Sequence, residues 1–600
     1  MNQAIKSNLQ EKDRDTQQEL LPLYKQWDKT DRYDIYPTRK ISQGSISHDL
    51  EALLAQLPAT GNLIIDGYVG IDWESFITAL KAAFPKSSSE LNWVNIATAL
   101  KPEEEIDAML SPYLHSDGES SIFGQAFQAG LEEFFVAEQL EQLQPATAER
   151  NVVYGTGASL AGWEGTLIYL DLPKNELQFR SRAGRVHNLG SLKVQDPKTQ
   201  YKRFYFVDWP VLNRHKAQLL PQIDFLMDGQ QGNVYPWISG TAFRATLAEL
   251  ASHSFRARPW FEPGIWGGNW MLEHIPHLPA AVPNYAWSFE LISPENGLLV
   301  EDQGKLLEFS FDWLLFAHSS AVLGKAAARF GAYFPIRFDF LDTFDGDHLS
   351  IQCHPSLSYA RENFGEQITQ DETYYILDQK GDSGVYLGFT EASDPLSFEK
   401  DLRTSLADGV AIDIAQHVQF IPSKQHDFFL IPNRTVHSAG INNLVLEISS
   451  TPYIFTFKLY DWVRKDLNGM ARPINIDHGM KNIDFSRKGS VVAEELISKP
   501  VLLQQSATAE HWHLPTHEEH FYDVERYEWE GMLCIETKQQ CHILMLVAGT
   551  QLELNSNGEK TIYNYAETIV VPAAVETYTI TYLGAGRGKL VKAFVKDDLM

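Results

Sequence analysis

The octapeptide HLSIQCHP, His348 to Pro355, alternates apolar and polar side chains along a strand. With a period of two, Leu349, Ile351 and Cys353 face one side while Ser350, Gln352 and His354 face the other. The apolar side belongs in a core, so the opposite side offers an amide oxygen and an imidazole two residues apart. Cys353 points away from that pair, so a thiolate site is not expected. Glu372 opens a second strand, QDETYYILDQ, and FFLIPNRTVHSAG carries a third through a Pro-Asn turn to His437. Three adjacent strands of a jelly roll would bring Gln352, His354, Glu372 and His437 onto one inner surface. Two imidazoles with oxygen ligands suit zinc, with manganese, iron or nickel as alternatives. A Gln-x-His pair on a strand serves equally as a hydrogen-bonded polar patch, so spacing alone leaves both readings open.

Other groups compete as sites. The segment IIDGYVGIDWES sets Gly67 and Gly70 between a strand and a helix, where backbone amides can cradle a phosphate. No lysine or hydroxyl follows Gly70, and Asp72 and Glu74 repel a triphosphate. The segment is therefore expected to be a retained scaffold without turnover, with Arg180, Arg182 and Arg185 as candidate anion contacts. His511, His513, His517 and His520 stand among carboxylates in HWHLPTHEEHFYDVERYEWEG and are expected in a solvated strand and loop, with metal binding as the alternative.

The elements that position these residues change character along the chain. Six hundred residues at roughly 150 per domain give three or four folding units. Residues 1–45 read as a polar, loosely held arm with a helix around Gln18 to Trp27. Residues 46–245 alternate between strand, glycine turn and helix, the grammar of an α/β unit with a parallel sheet. SHDLEALLAQL reads as a helix capped by Ser47, and NVVYGTG, TLIYLDL and KRFYFVDW read as strands. Phe311 to Phe334, broken by Asp312, Lys325 and Arg329, reads as an amphipathic core helix. Beyond it short strands dominate, giving one β unit over 246–490 and another over 491–600, of sandwich or jelly-roll type. No short repeat stands out.

Composition narrows the function classes. Fifty basic against 78 acidic residues give a net charge of −28, which argues against binding nucleic acid or anionic membrane. Three cysteines, Cys353, Cys534 and Cys541, cannot staple so long a chain, so a reducing compartment is expected. No signal peptide is visible and no stretch reaches roughly 18 uninterrupted apolar residues. A soluble, cytoplasmic protein is the expectation.

The runs PWFEPGIWGGNWM, FPIRFDFLDTFDGDHLSIQCHP, ETYYILD, FLIPNRTVHSAGINNLVLEIS and FKLYDWVRKD occur in an order that resembles the class I mannose-6-phosphate isomerases. The likeness covers about residues 255–480, and the last hundred residues resemble that family's second jelly roll. The resemblance implies two cupin units, one divalent ion (zinc in the family) held by Gln352, His354, Glu372 and His437, and interconversion of mannose 6-phosphate with fructose 6-phosphate through an enediol. The α/β unit lies outside it and resembles a uridine-kinase-like, degenerate P-loop domain only in the placement of its glycines. The chain departs from the isomerase pattern where that family carries lysines, here Asp339 and Gln370 or Asp371, and where it carries an arginine, here Lys458. These changes bear on the phosphate subsite, for which Lys458, Arg464 and Arg472 are the available cations, with Glu447 a candidate acid/base group or a glutamate paired across the sheet. Trp266-Gly267-Gly268 is expected to form a tight turn near the pocket mouth. Action on another or unphosphorylated sugar, and sugar-phosphate binding without turnover, are the competing functions. The role of the α/β unit and the oligomeric state are not read from the sequence.

Overall fold

A computed structural model describes residues 13–25, 32–85, 91–114, 122–148, 150–465, 469 and 472–597. The protein is multi-domain and mostly sheet. Its N-terminal sheet has the strand order Leu91–Asn95, Arg150–Tyr154, Gly61–Gly67, Thr166–Asp171, Phe225–Asp228, Trp237–Ser239; only the last strand is antiparallel. The central strands are near-continuous apolar runs because helices cover both faces of a parallel sheet.

Two sheets follow. A six-stranded sheet orders Phe428–Ile431, Glu372–Gln379, Asn443–Ser450, Ile336–Asp342, Trp287–Leu291 and Trp260–Glu262. A five-stranded sheet orders Val418–Pro422, Gly384–Phe389, His437–Ala439, Ile351–Cys353 and Phe457–Tyr460. The C-terminal region repeats the two-sheet plan with six and four strands around its own core, which includes Trp529, Leu546, Ile569 and Ile580. Elsewhere one continuous apolar core links the parallel sheet to the six-stranded sheet, including Phe206, Trp313, Phe338 and Phe455.

Several local expectations are corrected by tertiary context. KRFYFVDW is helical, spanning the end of Pro197–Arg203, a π-turn at Phe204–Asp208 and the start of Trp209–Leu219. Asp196 caps its first turn by accepting from the amides of Lys198 and Thr199, Pro197 presets the backbone, and the aromatic rings that suggested a strand are buried on the helix. No helix forms over Gln18 to Lys25, and Trp27 lies outside the described residues. Pro22 disfavours a helix there, and the backbone of Leu23 and Lys25 instead bonds to the hairpin at Gly304 and Leu306. The described part of the arm is tied down: Arg14 grips Glu176, and Thr38–Lys40 pairs in parallel with Leu299–Glu301. Asp49, not Ser47, caps the helix Leu50–Leu54. The long apolar helix divides into Asp312–Leu323 and Ala327–Phe330 around Gly324, which adopts a positive φ. The β region also holds helices Leu357–Phe364, Pro395–Asp408, Ile476–Asn482 and Ser490–Glu495.

Candidate metal centre

The alternation in HLSIQCHP is realised. Leu349, Ile351 and Cys353 enter apolar cores, while Ser350 and Gln352 line a cavity of about 440 Å³. Gln352 faces His437 across the register of two neighbouring strands in the five-stranded sheet. His354 follows directly on the end of Ile351–Cys353. Glu372 comes from elsewhere, the first residue of a strand in the six-stranded sheet. The cluster is thus built between two facing sheets and not along three adjacent strands, as spacing had suggested.

His354 Nε2 lies 3.0 Å from Glu372 Oε1, and His437 Nε2 lies 3.2 Å from Oε2 of the same carboxylate. The Gln352 amide is 3.3 Å from His437 Nε2. All three ionisable residues are buried. His354 Nδ1 is 3.2 Å from the Phe455 carbonyl and His437 Nδ1 is 2.9 Å from that of Thr435. A carbonyl only accepts, so each Nδ1 carries the proton and each neutral ring turns the lone pair of Nε2 toward the carboxylate. His354 Nε2 and Glu372 Oε2 have no hydrogen-bond partner despite being buried. Lone pairs of two rings and a carboxylate directed at one point repel unless a positive charge sits between them. These donors therefore fit a divalent cation, and among the described residues theirs is the one group of three or more His, Cys, Asp or Glu side chains arranged to hold one. Burial opposes ionisation of Glu372; positive charge on His354 and His437 would outweigh it and hold the carboxyl well below the usual range, and where both rings are neutral that charge has to come from the cation.

The surrounding wall is charged. Arg337 bonds Asp339 at 2.9 Å and Ser449 Oγ at 2.8 Å, pairs closely with Glu447, and lies 3.7 Å from Glu372. Burial pushes Asp339 up to about 8, partly offset by Arg337. Glu447 both lines the cavity and is paired, so the two readings of it coexist. Gln370 donates to Glu372 Oε1 at 2.5 Å, whereas Asp371 bonds Asn433 instead. Lys458 lines the cavity; burial and the neighbouring Arg472 push its ammonium down to about 7, with Arg464 and Lys198 adding to that shift. Arg472 joins the wall while bonded to Asp461 at 2.6 Å. Arg464, a candidate cation that reads equally as a surface salt bridge, is committed to Asp461, Asp347 and the His348 carbonyl, outside the lining. Trp266 also lines the cavity, and Gly268 is needed because a Cβ there would meet Asp342 Oδ1 at 2.2 Å.

The sequence missed part of the lining. Gln178, Arg182 and Tyr201, from the α/β unit, face the same cavity as Glu372. A signal existed: KNELQFRSR is polar all round, and a helix of that kind bridges between units when it is buried. The three arginines proposed as anion contacts do not converge. Arg180 bonds the carbonyls of Gly70, Gly229 and Gln230, Arg182 pairs with Glu262, and Arg185 with Asp13. The Gly67–Gly70 loop has no room for a phosphate, since Leu177 packs where a Gly70 Cβ would lie. Among the described residues the later histidines do not form a metal-ligand group: His511 pairs with Glu525, His513 with Asp523, and His520 stacks on Tyr522 with the His517 ring 6.0 Å away between centroids. Among the described residues no helix is long and apolar enough to cross a membrane.

Residues 49–252 match a domain family of unknown function (DUF8485). The chain is 28% identical over 227 residues to the mannose-6-phosphate isomerase ManA of Bacillus subtilis (strain 168), covering 38% of this chain and 67% of that protein. It is 28% identical over 217 residues to the mannose-6-phosphate isomerase of Streptococcus mutans serotype c, covering 36% of this chain and 63% of that one. The chain thus spans about two thirds of the length of these relatives. A crystal structure of the mannose 6-phosphate isomerase from Bacillus subtilis aligns with a TM-score of 0.47 at 20% identity, over 57% of this chain and 99% of that one. Over little more than a third of its length, therefore, this chain is similar to mannose-6-phosphate isomerases.

Proposed function

We propose that the protein is a metal-dependent aldose–ketose isomerase that interconverts mannose 6-phosphate and fructose 6-phosphate. The observation that carries this reading is the convergence of His354, Glu372 and His437, with both Nδ1 protons committed to carbonyls, beside a cavity whose lining includes Gln352 and Glu372. Gln352, His354, Glu372 and His437 would hold the ion, and the mixed nitrogen and oxygen donors suit zinc. Bound there, such an ion supplies Lewis acidity that stabilises negative charge developing on a carbonyl or hydroxyl oxygen.

The chain's own side chains account for the rest. An enediol step removes the C2 proton and returns it to C1, so it needs a group able to hold a proton beside those carbons. Glu447, paired closely with Arg337, and Asp339, pushed up to about 8 by burial, are two carboxyls in different environments that suit the roles of base and acid. Lys458 and Arg472 put positive charge on the same wall and suit the phosphate, whose binding energy orients the reacting carbons.

The test is proton exchange. In heavy water, NMR of mannose 6-phosphate with the metal-quantified protein is expected to show deuterium entering C2 and fructose 6-phosphate accumulating. Bound metal without exchange on any sugar would sink the isomerase and leave a binding protein.

A further inference from the structure

The cavity beside the metal centre has a continuation. A second space of about 310 Å³ shares Gln178, Arg182, Tyr201 and Ile454 with the first and is closed on its far side by Lys198 and Phe204. Most of this wall belongs to the α/β unit. That unit is held in place by buried charge: Asp312 takes Lys174 and Lys216, each at 2.8 Å. Glu295 adds hydrogen bonds from Gln178 at 2.7 Å and Tyr201 at 3.0 Å, and Tyr201 bonds Tyr453 at 3.0 Å. A wall fixed this way is preorganised, so a ligand meeting it loses little to reorganisation.

The charge on that wall is selective. Glu262 neutralises Arg182 and Asp461 neutralises Arg472. Among the described residues neither Lys458, half-buried on the wall of the first cavity, nor Lys198, exposed on the wall of the second, has a carboxylate within ion-pair distance; Asp461 and Lys198 both act on Lys458 from farther away. Two lysines on adjoining cavities, neither closed into an ion pair, attract an anion between them.

We infer that the α/β unit completes the substrate site, with Lys198 from its helix Pro197–Arg203 and Lys458 from the strand Phe457–Tyr460 closing on the phosphate of a sugar phosphate from opposite sides. This rests on the sugar-phosphate reading above and gives the α/β unit a part in recognition with no chemistry of its own. It also accounts for the intact scaffold around a glycine loop filled by Leu177 and Arg180.

The full chain, loaded with zinc, carries the test. Lys198 is exposed, so its replacement leaves the core untouched. Lys198→Ala is expected to raise KM for mannose 6-phosphate about threefold and Lys198→Glu about tenfold, with the loss steeper at low ionic strength. Lys198→Arg restores KM, and Lys193→Glu, an equal charge change at an exposed site outside both cavities, does not raise it. Calorimetric titration with inorganic phosphate reads the same contact without turnover, and Lys198→Glu should weaken that binding about tenfold. A wild-type chain that binds phosphate more tightly than Lys198→Glu yet exchanges no sugar defeats the isomerase alone. Equal KM and equal phosphate affinity in wild type and Lys198→Glu, or no phosphate affinity in the wild type, overturns the inference.

Discussion

Two places in this molecule bury carboxylates among nitrogen donors, and they resolve the charge in opposite ways. At the C-terminal edge of the parallel sheet, Asp171 accepts from Lys216 at 3.0 Å and from Ser310, and Asp312 takes both lysines. Asp66 there is surrounded by the amides of Gly67, Gly157 and Ser159 and by His215. Among the described residues each of these charged groups has its partner. Between the two facing sheets the counts do not balance: His354 Nε2 and Glu372 Oε2 are left without hydrogen bonds, and a cavity lies alongside. Buried ionisable groups therefore separate into fastening and chemistry by whether their donors and acceptors close among themselves.

Substitutions can break this contrast. His437→Ala removes one donor from the unbalanced cluster and is expected to abolish metal binding and lower turnover by about three orders of magnitude, about 4 kcal/mol, read by metal analysis and NMR exchange. Asp312→Ala leaves Lys174 buried without its counter-charge and Lys216 with Asp171 alone. It is expected to cost about 3 kcal/mol in denaturant unfolding while metal content stays unchanged. Loss of metal in Asp312→Ala, or retention in His437→Ala, would erase the distinction.

Acid sharpens it. Burial works against the Asp312 carboxylate, but Lys174 and Lys216 outweigh it and hold its pKa at about 2, below an ordinary value of 3.8. A folded-state value below the unfolded one gives stability that is present above the unfolded value and lost as pH falls through the folded one. Unfolding followed from pH 5 to pH 2 should show a fall on the order of 2 kcal/mol that Asp312→Leu lacks. The smallest effect belongs to Gln352→Ala, which keeps both imidazoles and the carboxylate. It is expected to weaken zinc about tenfold in a competition assay with a chelator.

Much of this was legible in the residues. The period-two pattern around Gln352 and His354 separated core from cavity because alternation is a local property of an extended backbone. The parallel sheet followed from its strand–glycine–helix order. KRFYFVDW was not legible, since its aromatic content suits a strand and only burial against neighbouring units selects the helix. Nor was the burial of the charged helix Lys174–Arg182 legible, because its partners Asp312, Glu262 and Glu295 lie 80 to 138 residues away in sequence.

The amino-acid order alone determined which side chains can donate to a metal and which face of each strand they occupy, since both depend on residue type and backbone period. Only the tertiary structure decided that Glu372 meets the histidines across two sheets, that Arg464 is spent on Asp461, and that Lys198 of the α/β unit lines a space adjoining the one that Lys458 lines. Those outcomes depend on long-range packing and on which buried charges find partners, and no local spacing encodes either.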